Sequence, residues 1–248
     1  MGSITYGYAA SIITTTLGQP TFLSYFGLDT ASNANALEGA INGLFQAGGL
    51  FGVLAGGWKA DRLGRCKAIL ASTMITTVGG ALQSGSVHIA MYLVARFVTG
   101  FGIGGLVMLV PLWQSEVSPP AHRGLLVGLH GVSILIGYCM SQWIGYGFFF
   151  VKSSSAQWRV PLAIQIVPAL ILGCGVLFLP ESPRWLIENG RDAAANGILA
   201  RIHQDQNDPQ NTFAQEEFQQ IQTQLALEKK LPSSWKSILT IPHYQKRA

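Results

Sequence analysis

Charge is what this sequence has least of. Only 11% of its 248 residues are Asp, Glu, Lys or Arg, against roughly a quarter in a soluble domain; 49% are hydrophobic, and the mean hydropathy is +0.33. That balance excludes a soluble globular chain. The shortage is also uneven, because no Lys or Arg precedes Lys59 and no charge falls in residues 68–95, 97–115, 124–151 or 160–180. Each of these runs is near or above the ~20 residues that cross a bilayer as helix. Helix is implied because an open strand leaves its backbone groups unsatisfied in lipid. Cysteine is scarce as well. Cys66 in a basic loop, with Cys139 and Cys174 in apolar runs, gives no extracellular pair for a disulfide, so all three read as reduced. The N-terminus lacks the basic region of a cleavable signal peptide, and the first apolar segment reads as clipped. There is no nucleotide-binding glycine loop, no cluster with metal-ligand spacing and no nucleophile beside an obvious base. These absences argue against an enzyme and against a cofactor.

What charge there is sits in blocks. The stretch Gly56-Gly57-Trp58-Lys59-Ala60-Asp61-Arg62-Leu63-Gly64-Arg65-Cys66-Lys67 puts four cations between two apolar segments, which fixes that side as cytoplasmic by the positive-inside rule. Thirteen of the sixteen Lys and Arg residues fall in segments that alternate with the spans on one side. The formal charge of +4 therefore reads as topology and not as a nucleic-acid surface. The expectation is an all-α membrane protein with six spans at about 4–26, 37–58, 68–85, 90–113, 124–150 and 158–179, and both termini inside. Residues 1–180 form the membrane bundle. Residues 181–248 are polar, with short amphipathic cytoplasmic helices and a linker. Gly18-Gln19-Pro20 should break the first span, since proline lacks the N–H and clashes one turn back. Gly48, Gly52 and Gly56 recur every four residues and offer a strip where another helix can approach closely. Arg96 lies inside a span, where it costs ~2.5–3.5 kcal/mol on insertion scales and must face a cavity or a partner.

Several of these segments together carry a resemblance. Gly57 to Lys67 resembles the pattern G-x-x-x-D-R-x-G-R-R/K-R/K, with Cys66 in one basic position. Arg96-Phe97-Val98-Thr99-Gly100 resembles the start of a fourth span. Pro111-Leu112-Trp113-Gln114-Ser115-Glu116-Val117-Ser118-Pro119, followed by Arg123-Gly124, resembles P-x-Y-x-x-E-x-A/S-P-x-x-x-R-G, with Trp113 in place of tyrosine. Trp158-Arg159-Val160-Pro161 and Pro180-Glu181-Ser182-Pro183-Arg184-Trp185-Leu186 complete the set. In this order they resemble the N-terminal half of a sugar porter of the major facilitator superfamily, most like fungal members, and the resemblance covers essentially the whole chain.

That resemblance implies two six-helix bundles around a midplane site, with alternating access. Only the first bundle is represented, so a missing C-terminal half is expected as a partner, beside the lipid bilayer and a small sugar substrate. The implied function is transport of a hexose or similar carbohydrate across the plasma membrane. The alternatives are a non-transporting sugar sensor and a non-functional truncated half-transporter. Substrate-binding candidates carried by position are Tyr6, His130, Ile134 and Tyr138, with Arg96 at the cavity edge. The position usually held by a sugar-binding glutamine is Gly131. The position that carries Asp beside the span 4 arginine in proton-coupled members is Ala9, so uniport is expected. A cytoplasmic gate is expected from Asp61, Arg62 and Arg65 in one loop, Glu116 and Arg123 in the next, and Glu181 and Arg184 after the sixth span.

Overall fold

The computed structural model of the chain describes residues 1–29, 34–119, 123–151, 155–203 and 212–228. The chain forms two compact units, Met1–Ser182 and Pro183–Ala248. The described secondary structure of the first unit is helical: α1 (Gly2–Leu17), α2 (Pro20–Phe26), α3 (Ala34–Leu63), α4 (Arg65–Ser84), α5 (Ile89–Val117), α6 (Arg123–Phe149), α7 (Ala156–Ile164) and α8 (Ile166–Val176).

The breaks have local causes. Gly18 and Gln19 separate α1 from α2, and Pro20 takes the first helical position of α2, where its missing N–H costs nothing. Gly64 has φ +93° between α3 and α4, a conformation open only to glycine, and lets the chain reverse between two helices without a longer loop. Pro168 has no N–H to offer the Ile164 carbonyl, and the sixth span divides at Gln165 into α7 and α8.

Among the described residues, four segments are long and apolar enough to cross a bilayer: α3, α5, α6 and the combined α7–α8 run. The other two expected spans differ for identifiable reasons. The first is cut into α1 and α2, and α4 carries hydroxyl groups that lower its hydropathy. Those hydroxyls turn back onto their own helix, with Thr73, Thr76 and Thr77 donating to the carbonyls of Ile69, Ser72 and Thr73 at 2.8–2.9 Å. No polar hydrogen need be exposed by them to an apolar surround.

Helix α5 is the axis of this unit, with α3 and α4 as its most extensively packed neighbours, while α1 pairs with α6. The expected glycine strip makes the first contact. A methyl group on Gly48 or Gly52 would collide with the carbonyls of Phe97 or Phe101, and one on Gly56 would stand 3.4 Å from the Gly105 Cα. In return, Gly100 and Gly104 of α5 lie against the carbonyls of Phe45 and Gly49. Backbone thus meets backbone across α3 and α5, which is how helices gain van der Waals contact where lipid supplies no hydrophobic drive. Gly7 and Gly137 make the same close contact between α1 and α6. At the end opposite Gly64, Phe22, Phe26, Tyr92 and Trp158 form an edge-to-face and tilted aromatic cluster. The Tyr8 hydroxyl donates to the Pro161 carbonyl at 2.9 Å and ties α1 to α7.

The second unit holds α9 (Pro183–Glu188), α10 (Asp192–Ile202) and α11 (Thr212–Glu228). Gly190, with φ +70°, ends α9. The N–H groups of Gly190 and Arg191 donate to the carbonyls of Ile187 and Leu186, closing the helix with a left-handed cap. Trp185, Leu186 and Ala195 form its core, with Ile198 and Phe218 packed against them. The expected apolar stripes of the two longer helices are thus turned inward.

The α3–α5 contact makes a direct prediction. Gly52→Leu must push two backbones apart, so it should cost more than the ~1–3 kcal/mol of ordinary overpacking. Thermal unfolding in detergent checks this: a large fall in Tm is expected for Gly52→Leu, and little change for Gly43→Leu, where a Cβ meets nothing within 4 Å.

Candidate functional site

Two constellations of polar groups stand out in the first unit, one at the basic end of the bundle and one inside it. At the basic end, Arg65 is 5% exposed. Its Nε and Nη2 donate to the two oxygens of Glu116 at 2.8 and 2.9 Å, and its Nη1 donates to the Ala60 carbonyl at 3.2 Å. Asp61 lies 3.7 Å away on the exposed side. The two-pronged pair joins the start of α4 to the end of α5 with charge-assisted bonds, the strongest polar contacts a protein makes.

Glu181 performs a different task. Gly64 has no side chain to cap α4, which leaves the first N–H groups of that helix without an acceptor. The Glu181 carboxylate supplies one from beyond α8, accepting from the N–H of Arg65 at 2.8 Å and of Cys66 at 3.1 Å. A negative group is favoured there by the helix dipole as well. Trp113 donates its indole N–H to the Pro180 carbonyl at 3.0 Å, and the Cys66 thiol faces the same oxygen at 3.3 Å. Burial, reinforced by Glu181, pushes that thiol up to about 12, so Cys66 is a neutral packing group at pH 7. The ends of α3, α4, α5 and α8 are therefore latched by Arg65, Glu116 and Glu181.

Arg62, Arg123 and Arg184 are the remaining residues expected in the gate. Arg62 stacks on the Trp58 ring, 4.7 Å from its centroid. Arg184 belongs to the second unit, where it pairs with both oxygens of Glu228 at 2.6–2.7 Å. The Arg123 side chain lies outside the described residues.

Inside the bundle, Arg96 is completely buried. Its Nη1 donates to the backbone carbonyl of Ala9 at 3.4 Å, and its guanidinium stacks on Phe45 at 4.4 Å from the ring centroid. The Nε and Nη2 atoms have no acceptor among the described residues. The residue position that the resemblance singles out, Ala9, is thus the one the arginine touches. Phe45 also borders a partly open depression of about 220 Å³, lined with it by Tyr6, Gln46, Gly100 and Ile103 and by the exposed Leu50 and Val53; Arg96 itself is not among the lining residues. That volume is below the ~300–1,000 Å³ of a complete small-molecule site. Tyr6 interacts with Tyr138 through its hydroxyl.

The remaining candidates join α1 to α6. His130 Nδ1 is 2.8 Å from the Ser3 hydroxyl, and the Ile134 carbonyl backs onto Gly7. Sequence reasoning missed Gln142, which donates to the Ser11 hydroxyl at 2.6 Å and lines a second, larger depression of about 610 Å³ with Trp143 and Tyr146. It also missed Phe45, the ring over Arg96. An amide or a ring inside an apolar run gives no sign of its partner until the helices are assembled. The cap on α4 left a trace: a glycine immediately before a helix start calls for an acceptor from elsewhere.

The two buried arginines should respond oppositely to removal. Arg65→Met leaves Glu116 buried without its cation and should cost about 3–5 kcal/mol. Arg96→Met removes a desolvated charge that has no counter-ion among the described residues, and should be neutral or stabilising by up to about 3 kcal/mol. Thermal unfolding of both variants in one detergent checks the contrast. Equal destabilisation by the two would show that Arg96 has a protein partner.

Comparison with known proteins agrees with this architecture. The family model described as "Sugar (and other) transporter" matches residues 1–248. The chain is 44% identical to the MFS-type transporter criB of Aspergillus cristatus over 90% of its own length and 47% of that protein's. It is 35% identical to the quinate permease of Neurospora terricola, covering 78% of the chain and 37% of the permease. The fold superposes on the proton:xylose symporter XylE of E. coli with a TM-score of 0.84 and 24% identity, covering 96% of this chain and 53% of that one. The chain spans about half or less of the length of the relatives it matches, and the half it matches is N-terminal. This chain belongs to the sugar transporter family of the major facilitator superfamily and has the fold of its N-terminal helical bundle.

Proposed function

We propose that this chain is the N-terminal half of a plasma-membrane carrier that passes a hexose or similar carbohydrate across the bilayer by alternating access, as a uniporter. Family membership supports transport. Names such as "Sugar transporter STL1" and "Quinate permease" among the relatives point to small polyhydroxylated substrates. Tyr6 and Gln46 give the depression beside Phe45 the hydroxyl and amide groups that such a ligand requires. Its small volume suits one wall of a site whose other wall comes from a second bundle.

The latch at the basic end supplies one half of a cytoplasmic gate. A bidentate pair on capped helix ends makes α3, α4, α5 and α8 move together, so the bundle can rock as one body. Opening need not break Arg65–Glu116. The charges outside that pair, Asp61 and Arg62 with Arg123 of the next loop, would exchange partners across the inner mouth.

Uniport rests on one observation, the contact between Arg96 and the carbonyl of Ala9. Proton coupling needs an embedded group whose protonation differs between states, and α1 carries no carboxylate with which Arg96 could alternate. His130 is engaged with Ser3 and serves to join α1 to α6. Uptake by the complete gene product in vesicles, with and without an inward proton gradient, tests this reading. The expected result is entry only to the external concentration under both conditions. Accumulation above it, abolished by a protonophore and by His130→Ala, would establish symport through His130.

A further inference from the structure

Among the described residues of this unit, two arginines are buried to within 5% exposure, and they present the same side of the guanidinium differently. Arg65 uses its Nε and Nη2 as a fork that takes both oxygens of Glu116. The same two nitrogens of Arg96 are the ones without an acceptor among the described residues. A fork of two parallel N–H donors matches a carboxylate in both spacing and direction. Leaving it unpaired in a desolvated site is costly, because buried polar groups are otherwise almost always satisfied.

The described residues around it do not meet that demand. Ala9 offers a methyl and a backbone carbonyl, Phe45 offers a ring face, and Tyr92, one turn before Arg96 on α5, is a phenol whose own hydroxyl is unpartnered. Phe45 stands between the arginine and the depression: its ring covers the guanidinium, and with Gly100 it forms part of the depression's wall. Contact between the fork and an occupant of the depression requires the Phe45 ring to swing aside, because Arg96 is completely buried behind it.

Resting on the transport reading above, we propose that the carbohydrate taken by this site is a sugar acid, whose single carboxylate docks on Nε and Nη2 of Arg96 while its hydroxyl groups meet Tyr6 and Gln46. One negative charge neutralises the site. A phosphorylated sugar would leave a second buried charge without a partner, and a neutral sugar would leave the cation as it is. The ligand therefore supplies the counter-ion that α1 lacks.

The test uses the complete gene product, purified and reconstituted in proteoliposomes, with labelled glucose and its two monocarboxylates, gluconate and glucuronate, as probes at zero membrane potential. At least one acid should half-saturate uptake at a concentration ten-fold or more below that for glucose. That advantage should fall at least ten-fold in Arg96→Gln and in Ala9→Asp, which places a competing carboxylate beside the fork. Thermal shift of the same protein in detergent provides an independent binding readout: the favoured acid should raise Tm at concentrations where glucose does not. Uptake of glucose with neither acid preferred would overturn this proposal and leave transport standing. An acid-specific thermal shift without uptake of any probe would support the anion site and overturn the transport reading. Absence of both uptake and shift would overturn both.

Discussion

The close approach of α5 to the backbones of α3 and α4 is the constraint on which the rest of the bundle depends. Glycines on both sides of the α3–α5 contact bring carbonyls to the surface of the partner helix, so these helices are held by packing at contact distance in a solvent that gives no apolar drive for association. On the α4 side, Gly102 and Gly105 lie against Thr76 and Ser72, and Gly79 lies against Thr99. The polar side chains of α4 can be accommodated because they face α5 and close hydrogen bonds on their own helix. Gln83 extends this pattern by donating to Thr99 at 2.5 Å. The register of α5 is thereby fixed, and with it the depth of Arg96 and the position of Glu116.

Each end of α5 then carries a different kind of arginine contact. At the basic end, Glu116 meets Arg65 in a complete, two-pronged pair, and Glu181 neutralises the start of α4 beside it. This cluster is satisfied, and its role is to hold helix ends together. Two turns into α5 from its other end, Arg96 has a backbone carbonyl and a ring but no carboxylate among the described residues. Buried charge is tolerated without a partner only where something else offsets its cost, and an intramembrane arginine is by default a mark of function. The contrast is between a cation paired within the bundle and one whose fork meets no carboxylate among the described residues.

Much of this was legible in the sequence because the physical signals were strong. Long uncharged runs, the basic Lys59-to-Lys67 loop and glycines at four-residue spacing each have few structural solutions, and the helices, their breaks and the α3–α5 strip follow from them. The significance of Ala9 was also accessible, through a resemblance that pairs this position with Arg96. What could not be read was the division of labour within the charged loops. Arg62, Arg65 and Arg184 look alike in sequence, yet one stacks on Trp58, one is locked to Glu116 and one pairs with Glu228 in the second unit. Helical spacing assigns a residue to a face but not to a partner on another helix. For the same reason Phe45 and Gln142, ordinary members of apolar runs, emerged only once the helices were brought together.

The central claim is that Arg96 is a buried cation without a carboxylate partner among the described residues, with Ala9 beside it. A double-mutant cycle on thermal stability tests this most directly, comparing Ala9→Asp in the native background with Ala9→Asp in an Arg96→Met background. The size of the new side chain is the same in both, so overpacking cancels and the electrostatic coupling remains. The account predicts that aspartate is better tolerated beside Arg96 than in the Arg96→Met background by about 2–3 kcal/mol. Effects that add to within ~0.5 kcal/mol would contradict it, and would mean that the guanidinium is already neutralised by another group.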